Sequence, residues 1–224
     1  MTKNELPALA KRVMKHFLND FGELIYSSHE TLCEGDIYLL GLNPGGSGHT
    51  TIHDHIDQML TRTENSYIVD DWANNANGKG KSPLQNRVIG LIHSLGYDMK
   101  NVCASNLIFK TTPSSNELCF GLAGLCWQFH EELIELIKPK LILTFGNSKE
   151  SPYAFIKEIF FRENASEEQV IAAGHGDWSC KGFHTFMNGR KTFVAGLPHM
   201  SYYNPLEKPF LKEWLTSNID ITKT

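Results

Sequence analysis

Apolar positions in this chain fall into short continuous runs and into stripes of helical period, and the two alternate. Leu6, Leu9, Val13, Phe17 and Leu18 recur at near-helical spacing across residues 3–18, which predicts an opening amphipathic helix. The run Ile37-Tyr38-Leu39-Leu40 predicts a short buried strand, closing on Gly41-Leu42-Asn43-Pro44-Gly45-Gly46. Residues 83–95 predict a helix with Ser82 as its cap and Pro83 in its first turn. Val102 to Phe109 reads as a second strand. A long helix is expected over 120–138, with Leu122, Leu125, Phe129, Leu133, Leu136 and Ile137 inward and Lys138-Pro139 ending it. Leu141 to Phe145 predicts a third strand closing on Gly146-Asn147, and Ser151-Pro152 opens a helix to about Phe161. Thr192 to Ala195 reads as a fourth strand, ending in Gly196-Leu197-Pro198-His199, and 206–217 as a last helix. Short strands separated by helices are βαβ units. The expected fold is therefore α/β, a three-layer sandwich with a central, mainly parallel four-stranded sheet flanked by helices, in one domain over 1–224.

Residues 47–81 interrupt the alternation. They are poor in apolar residues, include the polar run Ala73 to Gly80, and are too long for a bare connector. The stretch reads as a partly helical insertion or mobile loop leaving the first strand.

Composition narrows the classes of function. The chain has 224 residues, 41% hydrophobic and 21% charged, enough to bury a substantial core. No apolar run is long enough to cross a membrane, and the first residues lack the apolar stretch of a secretory leader, so no membrane partner and an intracellular, cytoplasmic location are expected. The net charge of -4 excludes a uniformly basic surface but leaves room for a local nucleic-acid patch. Five cysteines, an odd number without a C-x-x-C pair, read as reduced thiols rather than a disulfide or metal framework.

In an open parallel sheet, ligands bind outside the carboxyl ends of the strands. That rule gathers Asn43 with its glycine turn, Ser105-Asn106, Gly146-Asn147 and His199-Met200-Ser201 into one candidate site. Asparagines, a histidine and glycine turns suit a polar, planar ligand, with backbone N–H groups available to an oxygen.

These segments carry a resemblance. Gly41-Leu42-Asn43-Pro44-Gly45 resembles the first motif of the uracil-DNA glycosylase superfamily, nearest the G-(I/M)-N-P-G form of its mismatch-specific and single-strand-selective classes. His199-Met200-Ser201 resembles the second motif, often H-P-S. Ser105-Asn106-Leu107 sits where the superfamily has a base-reading asparagine, and Ile137 to Gly146 resembles the strand before the next helix. The ordered set spans about 36–205.

The resemblance implies an N-glycosylase that acts without a cofactor or metal on DNA holding a damaged or mispaired base, for base-excision repair, and the chain is read as a monomer. It implies that the base is flipped from the duplex, that Asn106 reads its edge, and that backbone around Gly41, Leu42, Pro44 and Gly45 holds it. Asn43 would position the attacking water, since an amide cannot be a general base, and His199 would donate to the developing oxyanion. Ser201 would touch a flanking phosphate. Met200, Tyr202 and Tyr203 are candidates to wedge into the vacated stack, the tyrosines having core packing as their alternative. Lys79, Lys81 and Arg87, with Lys110 nearby, are the candidate phosphate contacts. The base-stacking aromatic is left between Tyr67 and Trp72.

Two other readings stay open. His53-Asp54-His55-Ile56-Asp57 resembles the H-x-H-x-D metal motif of metallo-β-lactamase-like hydrolases, with Gln58 where a histidine belongs. His49 lies just before it, and His175, Asp177, Cys180 and His184 could add ligands to a metal-dependent hydrolase. The pocket could also bind a base, a nucleotide or damaged DNA without cutting it. No G-x-S-x-G elbow and no P-loop occurs.

Overall fold

The computed structural model describes residues 1–72, 78–160 and 166–221. The polar run at 73–77 and the expected helix end at Phe161 lie outside them. In chain order the elements are α1 (Leu6–Val13), β1 (Ile37–Gly41), α2 (Ile52–Gln58), α3 (Ser66–Val69), α4 (Pro83–Ser94), β2 (Cys103–Asn106), α5 (Leu122–Ile137), β3 (Leu141–Phe145), α6 (Pro152–Phe160), β4 (Gln169–Ala172), β5 (Ser179–Met187), β6 (Arg190–Leu197) and α7 (Pro209–Ile221). No helix among the described residues is long and apolar enough to cross a membrane.

The sheet has six strands in the order β2-β1-β3-β6-β5-β4. The four expected strands are its parallel part, and β5 and β4 extend it antiparallel beyond β6. The four-stranded expectation is corrected by that hairpin extension. β5 turns into β6 through Asn188 and Gly189, both at positive φ (50° and 77°), the conformation a two-residue hairpin turn requires.

Alternation along the strands makes two cores. Tyr38 and Leu40, Cys103, Ile142 and Val194 face one layer with α1, α2, α5 and α6. Ile37 and Leu39, Ala104, Leu141, Leu143, Phe193 and Ala195 face the other with α3, α4 and α7. This is the three-layer arrangement, because residues of period two bury both faces of the sheet.

Several boundaries differ from the pattern. α1 ends at Val13, yet Met14 and Phe17 stay buried as the chain continues in tight turns, with Phe17 N–H bonded to Met14 O. α5 turns Trp127 and His130 inward and leaves Leu125 outside at 40% exposure. β2 stops at Asn106, after which 107–112 still follows the end of β1 through Leu107 N–H to Gly41 O and Ile108 N–H to Leu42 O. The 47–81 stretch is partly helical, with Thr51 capping α2 and Asn65 capping α3. Residues 21–26 run antiparallel along the free edge of β2, bridging Gly22 to Lys110 and Ile25 to Ser105. That edge is thereby covered rather than left as a template for pairing.

Candidate active site at the carboxyl edge of the sheet

From β1 the chain proceeds to β2 on one side and to β3 on the other, so the strand order reverses at β1. The crevice outside the carboxyl ends at such a reversal is where an open α/β sheet can receive a ligand. Gly41 and Asn106 are register partners there. A Cβ on Gly41 would collide with Asn106 Oδ1 and come within 2.9 Å of Phe145 Cζ. Glycine at 41 is thus a steric requirement for the Asn106 carboxamide and the Phe145 ring to share this corner. Asn106 is only 7% exposed.

Beyond Gly41 the turn is tied to the segment after β2. Asn43 Nδ2 donates to Pro44 O at 2.8 Å and to Thr112 Oγ1 at 2.9 Å, and Thr112 N–H donates to Pro44 O. The Asn43 amino group is therefore committed to the protein, and its Oδ1 is the atom left to accept from a ligand or water. Leu42 and Asn43 are half-buried, Pro44 is buried, and Gly45 is exposed at the rim.

His199 follows β6. Its Nδ1 accepts from Ser201 N–H at 3.2 Å, so the neutral ring carries its proton on Nε2. The ring packs edge-on against Phe145 at 5.8 Å and lies 6.2 Å from the Tyr202 ring. Its outer edge is open to solvent, while burial of the inner edge lowers its pKa below the ordinary histidine value. His199 is thus a neutral donor near neutral pH. Phe145 touches both the Gly41 corner and His199, which joins the two expected motifs in space.

Two expected roles change, and one open alternative is decided. Met200 is fully buried among α4- and α7-side residues and cannot wedge into DNA. Tyr203 is also fully buried, its hydroxyl donating to Ala173 O at 3.0 Å, so packing is its role, whereas Tyr202 is 74% exposed. Arg87 does not project as a free cation: Nη1 donates to Met200 O and Ser201 O, each at 2.7 Å. Ser201, Lys79 and Lys81 are exposed, and Lys110 is paired with Asp20 at 2.7 Å.

The edge segment 21–26 and α3 add a wall that the sequence pattern does not reveal. Tyr26, Tyr67 and Trp72 form an aromatic cluster, with Tyr67 and Trp72 ring centroids 4.8 Å apart and Tyr26 6.0 Å from Trp72. Burial pushes the Tyr26 phenol well above its ordinary pKa, with Glu23 and Tyr67 adding and Arg62 and the neighbouring Asn106 carboxamide opposing. Both candidate stacking aromatics therefore lie in one cluster with Tyr26, the neighbour of Asn106. Glu23, whose carboxyl pKa burial raises against the pull of Arg62, stands beside it. As an isolated acid in a loop, Glu23 has no signal in the sequence; the antiparallel bridges of residues 21–26 bring it there. Beneath the site, buried His130 accepts from Tyr38 Oη at Nδ1 (2.7 Å) and donates from Nε2 to Leu107 O (3.2 Å), fixing the residue next to Asn106. Asn147 serves as a staple, its Nδ2 donating to Ser179 O and Gly196 O.

The histidine-rich segment does not assemble as its motif suggests. His53-Asp54-His55-Ile56-Asp57 lies on α2, where residues two apart face opposite sides. His53 points outward to Asp57 at 3.5 Å, while His55 is 5% exposed and accepts from Leu24 N–H. Farther on, His175 stacks on Trp178, Cys180 is buried near Tyr203, and His184 Nε2 bonds Asn218 Oδ1. Among the described residues, no three His, Cys, Asp or Glu side chains are grouped to hold a metal. Hollows of about 250 and 480 Å³ open at the amino ends of β1 and β2 and over α5; the expected site residues line neither. Compared with known proteins, the chain matches no family model and no curated protein.

Proposed function

We propose that this protein is a DNA glycosylase that hydrolyses the N-glycosidic bond of an aberrant base, uracil or a related deaminated or mismatched base. The observation that carries the reading is that Asn106, across Gly41, and His199 both approach the Phe145 ring, at the point where the strand order reverses. A nearly buried carboxamide offers the donor–acceptor pair that a pyrimidine edge needs. A neutral imidazole with an outward Nε2–H offers a donor to a base oxygen that gains charge as the C1′–N1 bond breaks. One such donor is worth about 3 kcal/mol in the transition state. Asn43 Oδ1, the acceptor its amide has left, orients the attacking water, and the backbone around Gly41, Leu42, Pro44 and Gly45 holds the base.

The flipped base stacks against Trp72, the partly exposed ring of the Tyr26–Tyr67–Trp72 cluster. Tyr202 fills the gap left in the duplex, Ser201 meets a flanking phosphate, and Lys79 and Lys81 supply exposed charge for the DNA backbone. None of these steps is assigned to a metal or cofactor.

The test is a panel of end-labelled oligonucleotides, each with one uracil, hypoxanthine, xanthine or thymine mispair, single- and double-stranded, incubated in EDTA and then cleaved with alkali. Strand scission at one lesion is the expected result. Tight retention of a lesion strand without scission would instead assign a binding protein, and neither would discard the reading.

A further inference from the structure

We propose that Arg87 is a positioning residue that sets the tautomer of His199 through a single peptide plane. The proposal rests on the functional reading above only for its kinetic consequence. The peptide joining Met200 to Ser201 is planar and trans, so its C=O and N–H point in opposite directions. Arg87 Nη1 donates to that carbonyl, Met200 O, at 2.7 Å, and the N–H on the other side, Ser201 N–H, donates to His199 Nδ1 at 3.2 Å. A second bond of 2.7 Å from the same nitrogen to Ser201 O locks the next peptide as well. The guanidinium is delivered by α4, which is anchored by the buried Val88, Leu91 and Ile92 and started by Ser82.

The consequence is chemical. With the plane held, Nδ1 faces a donor and must be an acceptor, so the one ring proton of the neutral imidazole sits on Nε2. The positive charge on the carbonyl side also polarises the peptide and strengthens its N–H as a donor. If the peptide were free to turn, its carbonyl could face the ring, accept from Nδ1–H, and leave Nε2 as an acceptor unable to stabilise an oxyanion. The titratable neighbour packed on the ring is Tyr202, and burial is the cause of the lowered His199 pKa.

The experiment is ¹⁵N NMR of the histidines in the full chain, with the His199 signals assigned by His199→Gln. Wild type should show His199 as the Nε2–H tautomer at pH 7. Arg87→Ala should populate the Nδ1–H tautomer and raise the His199 pKa, and ethylguanidinium in the millimolar range should reverse both. On a cleaved oligonucleotide the same variant should lose about tenfold in single-turnover rate with little change in affinity. Arg87→Met, of similar length but with no donor, supplies the same readout should the alanine variant fail to fold. An unchanged tautomer in a folded Arg87 variant would overturn the proposal. A changed tautomer in a protein that cleaves no lesion would uphold it and reject the glycosylase reading.

Discussion

Gly41 shows how much of the site depends on the absence of one carbon atom. Asn106 and Phe145, at 7% and 4% exposure, occupy the space that a Cβ would need, and both are held too tightly to swing aside. Gly41→Ala should cost about 1–3 kcal/mol by overpacking and should displace the carboxamide, impairing lesion recognition. Gly45→Ala, with nothing within 4 Å of its added carbon, is the matched control and should leave the urea midpoint unchanged. Equal midpoints for the two variants would remove the steric argument. At this scale Asn43, Asn106 and His199 were legible, because strand-end position and residue type together mark them. The division between Met200 and Tyr202 was not: burial within a four-residue turn depends on which side of α4 and α7 the turn docks against. Arg87 was equally opaque, since a lysine-like surface role and a carbonyl brace look alike in sequence.

At the scale of elements, local chemistry decided most of the outcome. Ser82 and Gln85 form a reciprocal capping box at the start of α4, with bonds of 3.2 and 3.0 Å, and Ser82 is 4% exposed. Ser82→Ala should lower stability by about 1 kcal/mol and reduce Tm by a few degrees. The loss should be repaired in part by Ser82→Asp, because an aspartate also accepts from the N3 amide; no loss on calorimetry would mean the cap is redundant. The signal for the β5–β6 hairpin was present in Asn188-Gly189, flanked by Phe186-Met187 and Lys191 to Val194. Residues 179–187 mix small, polar and aromatic side chains on both faces, which hides the period of two in β5, and β4 pairs only with β5 at the sheet edge. In the H-x-H-x-D segment the motif is plain in the sequence and the backbone disperses it. A spacing that converges in a loop diverges on a helix, and Thr51 caps residues 52–58 as a helix.

Across the whole molecule, the layer of α2 and α5 buries two histidines that must stay neutral. Burial lowers His130 and His55 to about 4, against an ordinary value near 6.5. Above pH 6.5 both folded and unfolded chains hold these rings neutral, so neither contributes to a pH dependence. As pH falls from 6.5 to 4 the unfolded chain takes up protons that the folded chain refuses, and stability declines, by up to about 3 kcal/mol per ring. Urea unfolding at pH 7.0, 5.5 and 4.5 should show that decline, and a flat profile would contradict it. The layer order and the carboxyl edge were legible as a whole, because four apolar runs, three of them closing on glycine, repeat one unit. The aromatic wall was not, since residues 21–26 reach β2 only through tertiary pairing.

The central claim is that Asn106 and His199 form one catalytic pocket, and release of the free base tests it most directly. Single-turnover chromatography of the base liberated from the preferred lesion oligonucleotide, in EDTA, should recover base and abasic site in equal amounts. His199→Ala should slow that release by about a hundredfold or more while leaving the unfolding midpoint near wild type, because the ring is exposed at the rim. Undiminished base release by His199→Ala would contradict the account.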